Sequence, residues 1–70
     1  MNEFEESKVR GYANTANVYL EKPELDSKEK DILEDIFYNL YEIQAKLLSF
    51  EVKKLRLNLL EKIALKRKIV

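Results

Sequence analysis

The side chains that could carry chemistry here are carboxylates and cations, because the 70-residue chain has no cysteine and no histidine. A thiol nucleophile, an imidazole base, a disulfide and a His/Cys zinc site are therefore excluded. Carboxylates fall next to each other at Glu5-Glu6 and Glu34-Asp35, but adjacent positions of a helix point in different directions and do not converge on one substrate. Asp31 and Asp35, four residues apart, do share a face, as two carboxylate ligands of a metal would. Carboxylate di-metal bundles add histidine through Glu-x-x-His, which this chain cannot supply, so a solvated acidic face is the expectation. A single glycine leaves no Gly-rich phosphate loop and no helix-turn-helix signature with its inter-helix Gly turn. No catalytic residue, metal or cofactor is expected, and the chain reads as non-enzymatic.

Binding residues are easier to find. The run Lys53-Lys54-Leu55-Arg56 and the tail Lys66-Arg67-Lys68 could contact phosphates. A small nucleic-acid-binding regulator using Lys53, Lys54, Arg56, Lys66, Arg67 and Lys68 is accordingly the alternative function. Against it, these cations do not share one stripe, and Leu57, Leu59 and Leu60 interrupt them. Aromatic residues gather at Phe37, Tyr38 and Tyr41. Phe37 belongs on the core side, and Tyr38 and Tyr41 flank it as candidate partner-binding residues, since tyrosine is enriched at interface hot spots.

Thirteen basic and thirteen acidic residues cancel to a net charge of zero, yet the charges are segregated. Residues 1–50 carry six basic and eleven acidic side chains, a net of −5, and residues 51–70 carry seven and two, a net of +5. Acids near helix N-termini and bases near C-termini complement the helix macrodipole, which accounts for the terminal residues. Glu34, Asp35, Lys53, Lys54 and Arg56 lie beyond that effect. Antiparallel pairing explains them: folding the segment about Ser49 brings Glu29 to Lys68, Asp31 to Lys66, and Glu34 or Asp35 to Lys62.

The elements that position these residues are helical. Val9, Tyr12, Ala13, Ala16, Tyr19 and Leu20 recur in steps of three and four, which predicts a first helix over about residues 3–20. Gly11 lowers its propensity. Pro23 disfavours helix at Lys22 and ends the element. Asp26 followed by Glu29 fits a capping box and starts the next helix. From Ser27 onward there is no Gly and no Pro. Leu33, Ile36, Leu40, Ile43, Leu47 and Phe50 form a heptad seam. A second seam, Leu48, Val52, Leu55, Leu59 and Ile63, follows with its phase slipped near Leu47-Leu48. Phe37, Leu48, Leu59 and Val70 also recur every eleven residues, as a straight helix with one buried face requires.

The expectation is an all-α single domain over residues 1–70. It is a hairpin of a short helix and a long helix over about residues 27–68, pairing as an antiparallel two-fold bundle of four helices. Ser49 could instead cap a third helix, and a monomeric three-helix bundle broken near Ser49 is the alternative. The long helix is favoured because Ser49-Phe50 supplies no Gly, Asn or Pro for a turn. A chain this small with no disulfide usually needs a partner chain. The stripe Val52, Leu55, Leu59 and Ile63, uncovered by the short helix, would be buried by a second copy. In architecture this resembles the helical chorismate mutases, small swapped dimers. The activity that resemblance implies needs several buried cations around a dicarboxylate, and with Arg10, Arg56 and Arg67 as the only arginines it ends at architecture.

The function expected is therefore a homodimeric interaction or regulatory protein that binds a protein partner through its helical surface. No segment is apolar for long enough to span a membrane, and residues 2–8 are acidic without an apolar run, so neither a membrane role nor a secretory leader is expected. A cytoplasmic location is the corresponding expectation.

Overall fold

Three helices and one short 3-10 turn make up the computed structural model, which describes residues 3–68. Helix α1 is Glu3–Leu20, α2 is Ser27–Glu42, and α3 is Phe50–Arg67, with the 3-10 turn at Ala45–Leu47 between the last two. The all-helical class and the first helix agree with the sequence. The capping box does too: the Glu29 backbone N–H donates to Asp26 Oδ1 at 2.8 Å, and the Asp26 N–H donates to Glu29 Oε1 at 3.1 Å.

The single long helix over residues 27–68 is not what forms. Helix α2 stops at Glu42, Ile43 turns extended (φ −68°, ψ 133°), and a new helix begins after Ser49. The break coincides with the phase slip at Leu47-Leu48. A continuous helix would carry the two seams on different faces, whereas the connection turns both Ile43 and Leu48 into the core, at 7% and 4% exposure. Ser49 caps α3, accepting from the Val52 N–H at 3.4 Å. The three-helix arrangement broken near Ser49 is thus the one observed. Val70, the last member of the eleven-residue pattern, lies outside the described residues.

Contacts at both ends fix the chain directions. The Ser49 N–H donates to Glu6 Oε2 at 2.7 Å, joining the N-terminal ends of α1 and α3. At the other end Lys66 Nζ donates to the Lys22 carbonyl, and Arg67 Nη2 pairs with Glu34 Oε2 at 2.5 Å. Helices α1 and α3 therefore run parallel, with α2 antiparallel to both. Their shared core holds Val9, Ala13 and Ala16 of α1, Leu33, Ile36 and Leu40 of α2, and Val52, Leu59 and Ile63 of α3. No polar or charged residue is buried among the described residues.

Most of the expected seam is core, with two corrections. Leu33, Ile36, Leu40, Ile43, Leu48, Val52, Leu59 and Ile63 are buried, and Leu55 is half-buried against them. Leu47 instead sits on the 3-10 turn at 36% exposure, because the turn rotates it away while Leu48 points inward. Phe50, expected in the first seam, is 74% exposed on the first turn of α3. The stripe Val52, Leu55, Leu59 and Ile63 is covered by α1 and α2 of the same chain, so it does not wait for a second one.

Candidate interaction surface

The surface is set by which side chains the three-helix core leaves out. Eight large apolar residues remain exposed among those described: Phe4, Val18, Tyr38, Tyr41, Leu47, Phe50, Leu57 and Leu65. Two groups of them are organised.

The first is the aromatic cluster on α2. Phe37 packs against the core and presents its ring to both tyrosines. It meets Tyr38 edge-on at 5.3 Å between centroids, and lies nearly parallel to Tyr41 at 6.4 Å. Tyr38 and Tyr41 are more than half exposed. Aromatic pairs of this geometry attract one another, so two amphipathic rings are presented to solvent beside a ring packed on the core. This is where the sequence put its candidate partner-binding residues, and the structure brings them together.

The second group was not legible in the seams. Phe50, Leu57 and Leu65 lie on the side of α3 opposite its buried Val52, Leu59 and Ile63. Spacings of seven and eight residues return to one face of a helix, so the signal was present. It was hidden because Phe50 completes the heptad seam of α2. Lys54 and Glu61 share this outer face and are exposed. Lys54 Nζ stands 5.3 Å over the Phe50 ring, a cation–π contact.

The basic residues do not assemble into one patch. Arg56 reaches back to the end of α2, its Nε donating to the Leu40 carbonyl at 2.8 Å and its Nη2 to the Tyr41 carbonyl at 2.9 Å. Those carbonyls belong to the last turn of α2, and the Leu40 carbonyl also accepts from the Ile43 N–H at 3.3 Å. Arg67 is paired with Glu34, and its Nε is buried without a hydrogen-bond partner. Lys66 is tied to the Lys22 carbonyl. Lys68, exposed, takes the left-handed conformation (φ 57°, ψ 41°) that ends α3. Half-buried Lys53 and exposed Lys54 lie toward the other end of α3.

The expected charge pairing is antiparallel in sense but different in detail. Glu34 meets Arg67 where Lys62 was expected, and Glu29 meets Lys22 where Lys68 was. The Lys22 hydrogen bond, helped by the Asp26 backbone N–H, holds the Glu29 carboxyl below the usual carboxylate range. The same bond raises the Lys22 ammonium above the usual lysine value.

Asp31 and Asp35 are exposed on α2, and no group of three or more Asp or Glu converges as a metal site among the described residues. No helix there is long and apolar enough to cross a membrane. Comparison with protein-family models, with curated proteins and with solved structures gave no match for this chain.

Proposed function

We propose that this chain is a non-enzymatic interaction protein that works as a homodimer and binds a protein partner through its preformed helical surface. The observation that carries the proposal is the Phe37–Tyr38–Tyr41 cluster, two exposed tyrosines braced by a third ring that is rooted in the core. Tyrosines of this kind supply contact area, a hydrogen-bonding tip and little entropy to lose, which is what interface hot spots use. The homodimer is supported by the outer face of α3, where Phe50, Leu57 and Leu65 are exposed in line with Lys54 and Glu61 between them, apolar anchors set among charges of both signs.

The test uses the chain as bait, with Tyr38→Ala/Tyr41→Ala beside the wild type. The proposal expects a protein retained by the wild type and lost by the variant. Equal retention by both would overturn the aromatic site.

Nucleic acid is the weaker alternative. Of the six candidate cations, Arg56, Arg67 and Lys66 already bind groups of their own chain, so Lys53, Lys54 and Lys68 would have to carry it. A DNA affinity that falls steeply with salt and is lost in Lys53→Ala/Lys54→Ala/Lys68→Ala would bring this alternative to first place.

A further inference from the structure

The outer face of α3 has an internal order that says what covers it. Reading along it, the exposed residues are Phe50, Lys54, Leu57, Glu61 and Leu65, over about 22 Å of helix. The sequence of types is aromatic, cation, leucine, anion, leucine. Turned end over end about the point midway between Leu57 and Asn58, the series is its own complement. Phe50 then falls opposite Leu65, and Lys54 falls opposite Glu61. At the flank, Glu51 comes beside Lys62, again with opposite signs. A parallel copy would set Lys54 against Lys54 and Glu61 against Glu61.

We infer that the α3 outer face is a self-recognition surface, on which a second copy of this chain docks antiparallel with its two-fold axis between Leu57 and Asn58. This rests on the homodimer proposed above and names the face that builds it. Phe50 of each copy packs on Leu65 of the other, and the two Leu57 side chains meet beside the axis. Leu65 of the second copy arrives over a shallow depression lined by Phe50, Glu51, Lys54, Leu55 and Asn58. A self-complementary patch of this kind is what an isologous two-fold interface requires. Because i, i+7 and i+15 positions do the work, the contact is a short antiparallel helix pair flanked by charges that set its direction. The Tyr38 and Tyr41 rings, on α2, are left outside it for the protein partner.

The deciding experiment is sedimentation equilibrium on the wild type, Lys54→Glu, Glu61→Lys and the double variant Lys54→Glu/Glu61→Lys. Either single change places like charges at two symmetric positions and weakens the dimer by about tenfold, and the double change restores it. Both substituted sites face solvent, so far-UV circular dichroism should be unchanged. A second readout exploits the absence of cysteine. Asn58→Cys beside the axis should be crosslinked to its own copy by a short bismaleimide, and Asp31→Cys on α2 should not. A wild-type dimer indifferent to the charge changes, with no crosslink through Asn58→Cys, would overturn this face while leaving the homodimer standing. A wild type that stays monomeric would remove both.

Discussion

Helix α3 carries two apolar faces built from similar residues, and their consequences differ. Val52, Leu59 and Ile63 are at most 2% exposed and hold the bundle together, while Phe50, Leu57 and Leu65 are at least 60% exposed. One face is fixed by the fold, and the other, apart from the Lys54–Phe50 contact, lies outside the core. Leaving that outer face in water is a standing liability for association. What separates them is the position of the helix start. Once Ser49 caps the helix and Phe50 becomes its first residue, the register decides which leucines turn inward.

Substitutions can test that division, and the largest effect belongs to the inner face. Leu59→Ala removes a buried side chain from the shared core and should cost about 2–5 kcal/mol, measured by urea unfolding. That is a large share of the stability of a domain this small. Arg56→Ala comes next. It leaves the Leu40 and Tyr41 carbonyls without their charged donor and should cost about 1–3 kcal/mol, with loss concentrated at the end of α2 by hydrogen exchange. Gly11→Ala works in the opposite direction. Gly11 is exposed in mid-helix, and a Cβ there would meet open space, so the change should stabilise by about 0.5–1 kcal/mol.

Smaller still is the effect of Leu57→Gln on folding. Under conditions where the chain is monomeric it should move stability by no more than about 0.5 kcal/mol, and a cost like that of Leu59→Ala would break the division between the faces. The pH dependence is the mildest. Glu29 has its carboxyl lowered, so its contribution is present above the usual carboxylate range and is lost as acid protonates it. Lys22 is raised, so its contribution holds below the usual lysine value and fades in strong alkali. Lys22 is solvent-exposed and Glu29 half-buried, and a Lys22→Met/Glu29→Gln variant should show a slightly flatter stability profile at both extremes.

The two connections between helices show how much of this the sequence could reveal. Pro23, Asp26 and Glu29 announce the first connection by local rules, and the helix ends fall where those residues put them. The second has no Gly, Pro or Asn, and only Ser49 as a possible cap. Its break at Ile43–Ser49 is held by Glu6 from α1 and by Arg56 from α3, forty-three and sixteen residues from the groups they bind. Long-range hydrogen bonds leave no spacing to read, so a continuous helix was the natural expectation. The local traces were the phase slip at Leu47-Leu48 and Ser49 as a candidate cap. Among the binding residues, Tyr38 and Tyr41 were legible because their helix was. Arg56 and Arg67 were read as surface cations, since only the folded chain shows the carbonyls and carboxylate they serve. Phe50, Leu57 and Leu65 were hidden because Phe50 falls in phase with the heptad of α2.

The central claim, that a second copy covers the outer face of α3, is tested most directly by sedimentation equilibrium at micromolar concentration on the wild type and Leu57→Glu. The wild type should give twice the 8.3 kDa chain mass. Leu57→Glu sets two carboxylates beside the two-fold axis and should give the single-chain mass with helicity intact. A wild type at the single-chain mass, or a Leu57→Glu variant that remains dimeric, would contradict it.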